Sequence, residues 1–545
     1  MSSMRRMPSN VATLGWQART AAILNSRWLL AAGASVAIAL AIWFRYFDLS
    51  HYGFNSDEAV YSGQAAALAG HQDYAKMFGV FRAHPLLVMF IVSLGFRVWG
   101  VDDVIPRLVT AGAGVLLVVV AGAVARVVHG RFAAVVAMFL MALSAYPITV
   151  SRQMLLDGPM ALCFGISLFF MARYVRGQGK LDLAGAAAAA GLAFLSKETA
   201  ILMAPAVIVF FLIARDLPFR INHVALWCAV YALTILPFPL SLMLSGGSGT
   251  TQQFFIWQLF RRPNHTPDFY LSIIPVVGIP IIVLAAVGVA RALARRGAMD
   301  VLVLCSALVT IAFFQAWPVK GFQYLLPVMT PAVLLASDGL IGIGEFAAAV
   351  LSRLSFDARR PSIWAARGIG VGLACAMLWS GAANVLAAPA PLLLATDSDD
   401  TLTKPAIGFT AGTGGLAASR PTGDWIDKHT LPGARFITIG PSFANVIQWY
   451  GHRRAVALSV SPNPLRRNPT YEPVINPDQL LRTNAVQYLV YDSYTASRTE
   501  FFTAKLVSYV KKYHGVQVFS YAEDARRPDG TVGKAPVVLI YEVHP

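Results

Sequence analysis

The sequence predicts a polytopic α-helical membrane protein with an α/β domain outside the membrane at its C-terminal end. Three observations predict this. Hydrophobic residues make up 56% of the 545 and charged residues only 13%, where a soluble globular chain carries roughly 25% charge. Apolar runs, several near the roughly 20 residues needed to cross a bilayer, recur from about residue 27 to about 387. From about residue 395 the texture turns polar, and then β-branched and aromatic runs alternate with helical ones.

The opening 1–26 is basic and precedes the apolar run AAGASVAIALAIWF. No small-residue cleavage signature follows, so this run is expected to stay in the chain as a helix. Further apolar runs lie near 104–125, 132–150, 157–175, 182–196, 199–214, 222–245, 269–291, 300–316, 321–339 and 364–387, giving about eleven candidate spans in all. The run 84–99 is short and charged at its ends, which suits a helix at the membrane surface as well as a crossing.

Charge decides between these. The links 126–131, 173–180, 214–220, 291–297 and 356–360 are basic, as is the N-terminus. If 84–99 stays on the outer surface, all of them face the cytoplasm, as the positive-inside rule asks. The first outer loop then spans 46–103, and the links 151–156 and 246–268 and the region 390–545 also lie outside. The net charge of +16 is accounted for by these links and their attraction to anionic lipid. Neither a basic soluble face nor a nucleic-acid-binding module is present, so nucleic acid is not an expected partner. Cys163, Cys228, Cys305 and Cys375 all sit in apolar runs and read as small buried hydrophobes.

Beyond 395, PAIGFTAGTGGLAASRPTG reads as a connector. The runs ARFITIG, AVALSV, VQYLVYD, VQVFSY and VVLIYEV read as strands, with GDWIDKHT, SFANVIQWYG and FTAKLVSYVKKY as helices between some of them. The GxxG at 412–415 lacks the preceding strand and the spacing of a phosphate loop, and receives no cofactor role.

Polar residues gather at the outer ends of otherwise apolar helices. They are Asp57, Glu58, Tyr61, His84, Arg152, Asp157, Lys197, Glu198, Arg261, Arg262, His265, Lys320 and Tyr324. Carboxylates beside hydrocarbon are costly unless paired, hydrated or functional. Asp157, followed by Gly158-Pro159, also suits a helix start, where an acid caps free N–H groups. Taken together the residues suggest an outward cavity where an acceptor meets an anionic, membrane-embedded group. Displacement at a sugar carbon fits such a cavity: one carboxylate takes the acceptor proton while cations stabilise a departing phosphate. A lipid-linked-sugar transporter and a non-catalytic envelope assembly protein are the alternative classes; the first would be expected to show paired repeats and interrupted midplane helices.

Five segments, in order, carry a resemblance. FNSDEAVYSGQA (54–65) resembles the acidic first outer loop of C-type (GT-C) membrane glycosyltransferases, in the bacterial branch with protein O-mannosyltransferases and the lipid A aminoarabinose transferase. SRQMLLDGPMALCF (151–164) resembles that branch's second-acid motif, and AFLSKETA (193–200) its Leu-Thr-Lys turn, with Ser196 for Thr. FRRPNHTPDFYLSIIP (260–275) and VKGFQYLLPVMTPAVLLA (319–336) resemble its late outer loop and Lys-x-x-x-Tyr segment. Gln323 stands where many relatives have Arg.

The resemblance implies an inverting glycosyltransferase in a bacterial plasma membrane, using a polyprenyl-phosphate-linked sugar on the outer leaflet. Asp57 would be the catalytic base, with Glu58 and Asp157 the accompanying acids. Lys320, Arg261, Arg262 and Lys197 would bind the donor phosphate, and His265, Tyr61, Arg152, His84 and Tyr324 would support them. The acceptor would be a lipid, glycan or protein hydroxyl. No tightly bound cofactor is expected; a divalent cation is compatible with a cavity that acids and phosphate share.

Overall fold

The computed structural model describes residues 27–80, 84–214, 216–217, 220–246, 248–354, 363–387, 391–394, 405–407 and 416–545. The basic N-terminal segment, the link 356–360 and the GxxG at 412–415 lie outside the described residues.

Helix α1 (Arg27–Tyr46) leads into α2 (Ser56–Ala69). The start of α2 is fixed by a reciprocal cap. Asn55 Oδ1 accepts from the backbone N–H groups of Asp57 and Glu58, and Glu58 Oε2 accepts from the Asn55 N–H. Gly70 ends the helix at φ 105°, a left-handed conformation that glycine adopts without penalty. Helix α3 (Leu87–Trp99) has 13 residues, about 20 Å at the usual rise, and is too short for a hydrocarbon core of about 30 Å. It buries Val88, Met89, Val92 and Phe96 and exposes Phe90, Leu94, Val98 and Trp99. The two faces suit a surface helix.

Helix α4 (Val104–Val128) is followed by α5 (Arg131–Leu143) and α6 (Ala145–Ser151), which bend by 62° at Ser144. Then come α7 (Asp157–Gly177), α8 (Lys180–Ser196), a 3₁₀ turn (Glu198–Leu202), α9 (Met203–Ile213), α10 (Ile221–Ile235), α11 (Pro237–Leu244) and α12 (Ser248–Leu259). The segment Phe269–Val277 meets α13 (Ile279–Arg295) at a bend of 102°. Gly278 makes that bend at φ 107°, where an added Cβ would also lie 2.2 Å from Leu378 Cδ2. Helices α14 (Ala298–Ala316), α15 (Met329–Leu354, preceded by the 3₁₀ turn Phe322–Val328) and α16 (Ile363–Leu386) complete the helical part.

Among the described residues, seven helices are long and apolar enough to cross a membrane, or up to nine if each bent pair is one span. This count falls short of the expected eleven or so. The runs 182–196 and 199–214 form α8, with 17 residues, and the short apolar stretch Glu198–Ile213, and both fall below the length of an ordinary span.

The C-terminal part is a six-stranded sheet of order β1-β5-β6-β4-β2-β3. Its elements are β1 (Leu392–Leu393), α17 (Ser419–His429), β2 (Arg435–Thr438), α18 (Pro441–Tyr450), β3 (Arg454–Ala457), β4 (Tyr488–Asp492), α19 (Glu500–Lys512), β5 (Val516–Arg526) and β6 (Val532–Glu542). β2 pairs in parallel with β3 and β4, while β6 is antiparallel to β4 and β5. Alternation along β2 sends Phe436 to one face, beside Phe443 and Ile447 of α18, and Ile437 to the other, beside Leu506 and Val510 of α19. The five predicted strands and three predicted helices are all present. SRPTG, read as connector, instead begins α17.

Candidate active site

The carboxylates of the first outer loop have opposite surroundings. Glu58 is fully buried and receives Arg107 Nε at 2.7 Å and Nη2 at 2.8 Å, with the Met154 N–H at 2.9 Å. Arg107, on α4, also donates to the carbonyls of Leu49, Tyr52 and Gly53. The Glu58 oxygens are thus engaged in a buried ion pair and a helix cap. Asp57, one residue earlier, is exposed. Among the described residues no side chain hydrogen-bonds or ion-pairs with its carboxylate.

Asp57 nevertheless faces a cluster. It acts electrostatically on Tyr61, Asp157, Arg261 and Tyr324. Tyr61 shares α2 with Asp57, while the others come from the start of α7, the loop after α12 and the turn before α15, so three segments distant in sequence come together around the start of α2. Burial, then Asp57, raises the Tyr61 phenol well above its usual range and keeps it protonated.

Asp157 is buried, and both its oxygens accept from Lys197 Nζ at 2.8 Å. Burial alone would disfavour the Lys197 ammonium, but the Asp157 carboxylate outweighs it and holds the pKa above the ordinary value. The ammonium also lies 4.8 Å from the centre of the Tyr324 ring. Gly321 leaves room for that ring: an added Cβ would come within 2.8 Å of it. His84 Nδ1 sits 2.7 Å from Glu198 Oε2, and its Nε2 is 3.5 Å from the Tyr61 hydroxyl.

Two expected phosphate or support residues are turned elsewhere. Lys320 Nζ donates to the carbonyls of Phe314 at 3.0 Å, Gln315 at 2.5 Å and Trp317 at 2.9 Å. An ammonium has three N–H donors, and all three are spent on the C-terminal end of α14, where a cation is also favoured by the helix dipole. Arg152 donates to the carbonyls of Phe44, Phe47 and Asp48 and so caps the end of α1. His265 is exposed and stacks on Phe269 with ring centres 4.1 Å apart. Arg262 is exposed. Arg261 is partly buried, donates to Gln258 Oε1 at 3.2 Å and lies 4.6 Å over the Trp257 ring.

Arg107 was missed in the sequence, although a lone Arg inside the apolar run 104–125 is itself a signal of a buried partner. Among the described residues no group of three or more His, Cys, Asp or Glu side chains is placed to hold a metal ion. Glu58, Asp157 and Glu198 face Arg107, Lys197 and His84, while the Asp57 carboxylate has no such partner among the described residues.

The helical part and the C-terminal sheet together define a polytopic α-helical membrane protein with a C-terminal α/β domain, a fold shared with solved membrane transferases. The chain is similar to ArnT from Cupriavidus metallidurans in its apo state, at 15% identity and TM-score 0.63, covering 93% of this chain and 97% of that one. ArnT bound to undecaprenyl phosphate matches at 14% identity and TM-score 0.59, with coverages of 93% and 97%. The oligosaccharyltransferase of Archaeoglobus fulgidus matches at 12% identity and TM-score 0.57, over 94% of this chain and 74% of that one; a structure of it with zinc and sulfate matches at TM-score 0.52. A family model described as dolichyl-phosphate-mannose-protein mannosyltransferase matches residues 83–241. The comparison with curated proteins gave no match.

Proposed function

We propose that the protein is an inverting glycosyltransferase that moves a sugar from a polyprenyl-phosphate donor to an acceptor hydroxyl at the outer face of the plasma membrane. The observation that carries this is Asp57: an exposed carboxylate with no side-chain partner among the described residues, within electrostatic reach of Arg261, in a cluster whose other acids are paired. The acceptor O–H gives its proton to Asp57 as its oxygen attacks the anomeric carbon. The bond from that carbon to the phosphate oxygen breaks, and the phosphate leaves with the electron pair. Arg261, with Arg262 beside it in sequence, stabilises the charge that develops there. Asp157 holds Lys197 under the cavity, and Tyr61, His84 and Glu198 line its side. The fold it shares with ArnT, solved with undecaprenyl phosphate, supports a lipid phosphate as the donor's carrier. Residues 27–389 form the membrane part and 390–545 the outer domain.

The test is transfer from a defined polyprenyl-phosphate sugar to candidate lipid, glycan or protein acceptors. Sugar is expected to move covalently to one of them. Failure of every donor while the lipids are merely translocated would reject the reading.

Eleven crossings follow if α8 and the segment Glu198–Ile213 both cross. The positive-inside rule supports this count, because it puts the basic links on one side and the sheet domain on the other. Single cysteines replacing Lys76 and Leu465 should then react with an impermeant reagent in intact cells, and one replacing Leu181 should not. Leu465 and Leu181 are 51% and 88% exposed, so a blocked reaction would report sidedness. The reverse pattern would overturn the arrangement.

A further inference from the structure

The C-terminal domain is attached to the membrane part at the residues that begin α2. The Phe54 N–H donates to the Tyr450 hydroxyl at 2.9 Å, and the Phe54 carbonyl accepts from Ser419 Oγ at 2.8 Å. Tyr450 in turn donates to Asp103 Oδ2 at 2.5 Å, the oxygen that also accepts from Arg420 Nη2 at 2.6 Å. Asn445 is buried, and its amide donates to Ser56 Oγ at 3.0 Å and to the Tyr471 hydroxyl at 2.9 Å. Trp449 fills the space behind, its ring centre 5.1 Å from Phe54 and 5.0 Å from Tyr74.

The pattern around Asp57 is selective. Phe54 and Ser56 are held by the C-terminal domain, Asn55 by Gln153 at 3.0 Å, and Glu58 by Arg107. Each neighbour is tied down, and the Asp57 side chain alone is left free to accept a proton. Tyr471 lies on the segment between β3 and β4, whose 3₁₀ turn Pro464–Arg466 packs against α12, the helix that leads to Arg261. One amide, that of Asn445, thus touches both the helix start that carries Asp57 and the arm that reaches towards Arg261.

We infer that the C-terminal domain is a positioning element of the active site, in which Asn445 and Tyr450 fix the start of α2 and Asn445 with Tyr471 sets the Asp57 wall against the Arg261 wall. The inference rests on the glycosyltransferase reading for its effect on rate, but the mechanical link is independent of it. Positioning groups act on turnover more than on binding, since a displacement of about 1 Å can cost about 100-fold in rate.

The test uses the full chain in lipid nanodiscs, with Asn445→Ala, Tyr450→Phe, Ser56→Ala and the Asn445→Ala/Ser56→Ala pair. Hydrogen–deuterium exchange of the 50–60 segment should rise in Asn445→Ala and Tyr450→Phe. The kcat for transfer should fall about tenfold or more while the donor KM stays unchanged. The double variant should be no worse than Asn445→Ala alone. Unchanged exchange, raised exchange with an unchanged rate, or additive losses would each overturn the inference. If Tyr450→Phe does not fold, Ser56→Ala carries the same test from the membrane side. A wild-type protein without transfer would refute the glycosyltransferase reading, while the exchange measurements would still decide the link.

Discussion

Asp57→Asn is expected to lower sugar transfer by about 10²- to 10⁴-fold while leaving folding and donor binding intact. The helix cap at this point is Asn55, whose Oδ1 takes the N–H groups of Asp57 and Glu58, so the Asp57 side chain is not needed to start α2. What Asn removes is the basic oxygen, and nothing else nearby replaces it. Glu58 is neutralised by Arg107 and Asp157 by Lys197. The check is product formed per folded, donor-binding molecule, with binding measured separately. Turnover close to the unaltered protein would remove Asp57 as the base.

Arg107→Leu is expected to destabilise the protein by roughly 3–5 kcal/mol, the usual cost of leaving one member of a buried ion pair unpaired. It strands the buried Glu58 carboxylate and three carbonyls, those of Leu49, Tyr52 and Gly53. Replacing Glu58 by Leu as well should recover part of the loss, because no lone charge then remains inside. Reversible unfolding in detergent reads the stability, and the folded fraction of Glu58→Gln should still transfer sugar. A Glu58→Gln protein of unaltered stability but without activity would return Glu58 to the chemistry.

The two carboxylates also show how far the sequence could be read. Their position just beyond an apolar run marked them both, and nothing local separated them. What separates them is a partner 49 residues away for Glu58 and, among the described residues, no side-chain partner for Asp57. Lys320 is similar: its place before Tyr324 matched a phosphate-binding pattern, whereas its ammonium is spent on helix carbonyls three to six residues back. Asn445 and Ser56 are 389 residues apart, and no periodicity records such a contact. Patterns set by local physics were legible. The surface helix α3 follows from a short apolar run and the charge of the links. The alternation of the sheet follows from period-2 runs of β-branched and aromatic residues. The count of spans was less legible, because bends at Ser144 and Gly278 and the shortness of α8 are decided by packing between helices.

The most direct test of the central claim is the anomeric configuration of the product. A single displacement by an acceptor oxygen, with Asp57 as base and phosphate as leaving group, inverts the anomeric carbon and leaves no glycosyl–enzyme intermediate. NMR of the product made from a donor of known configuration should therefore show the opposite configuration at that carbon. A product that retains the donor's configuration would contradict the account.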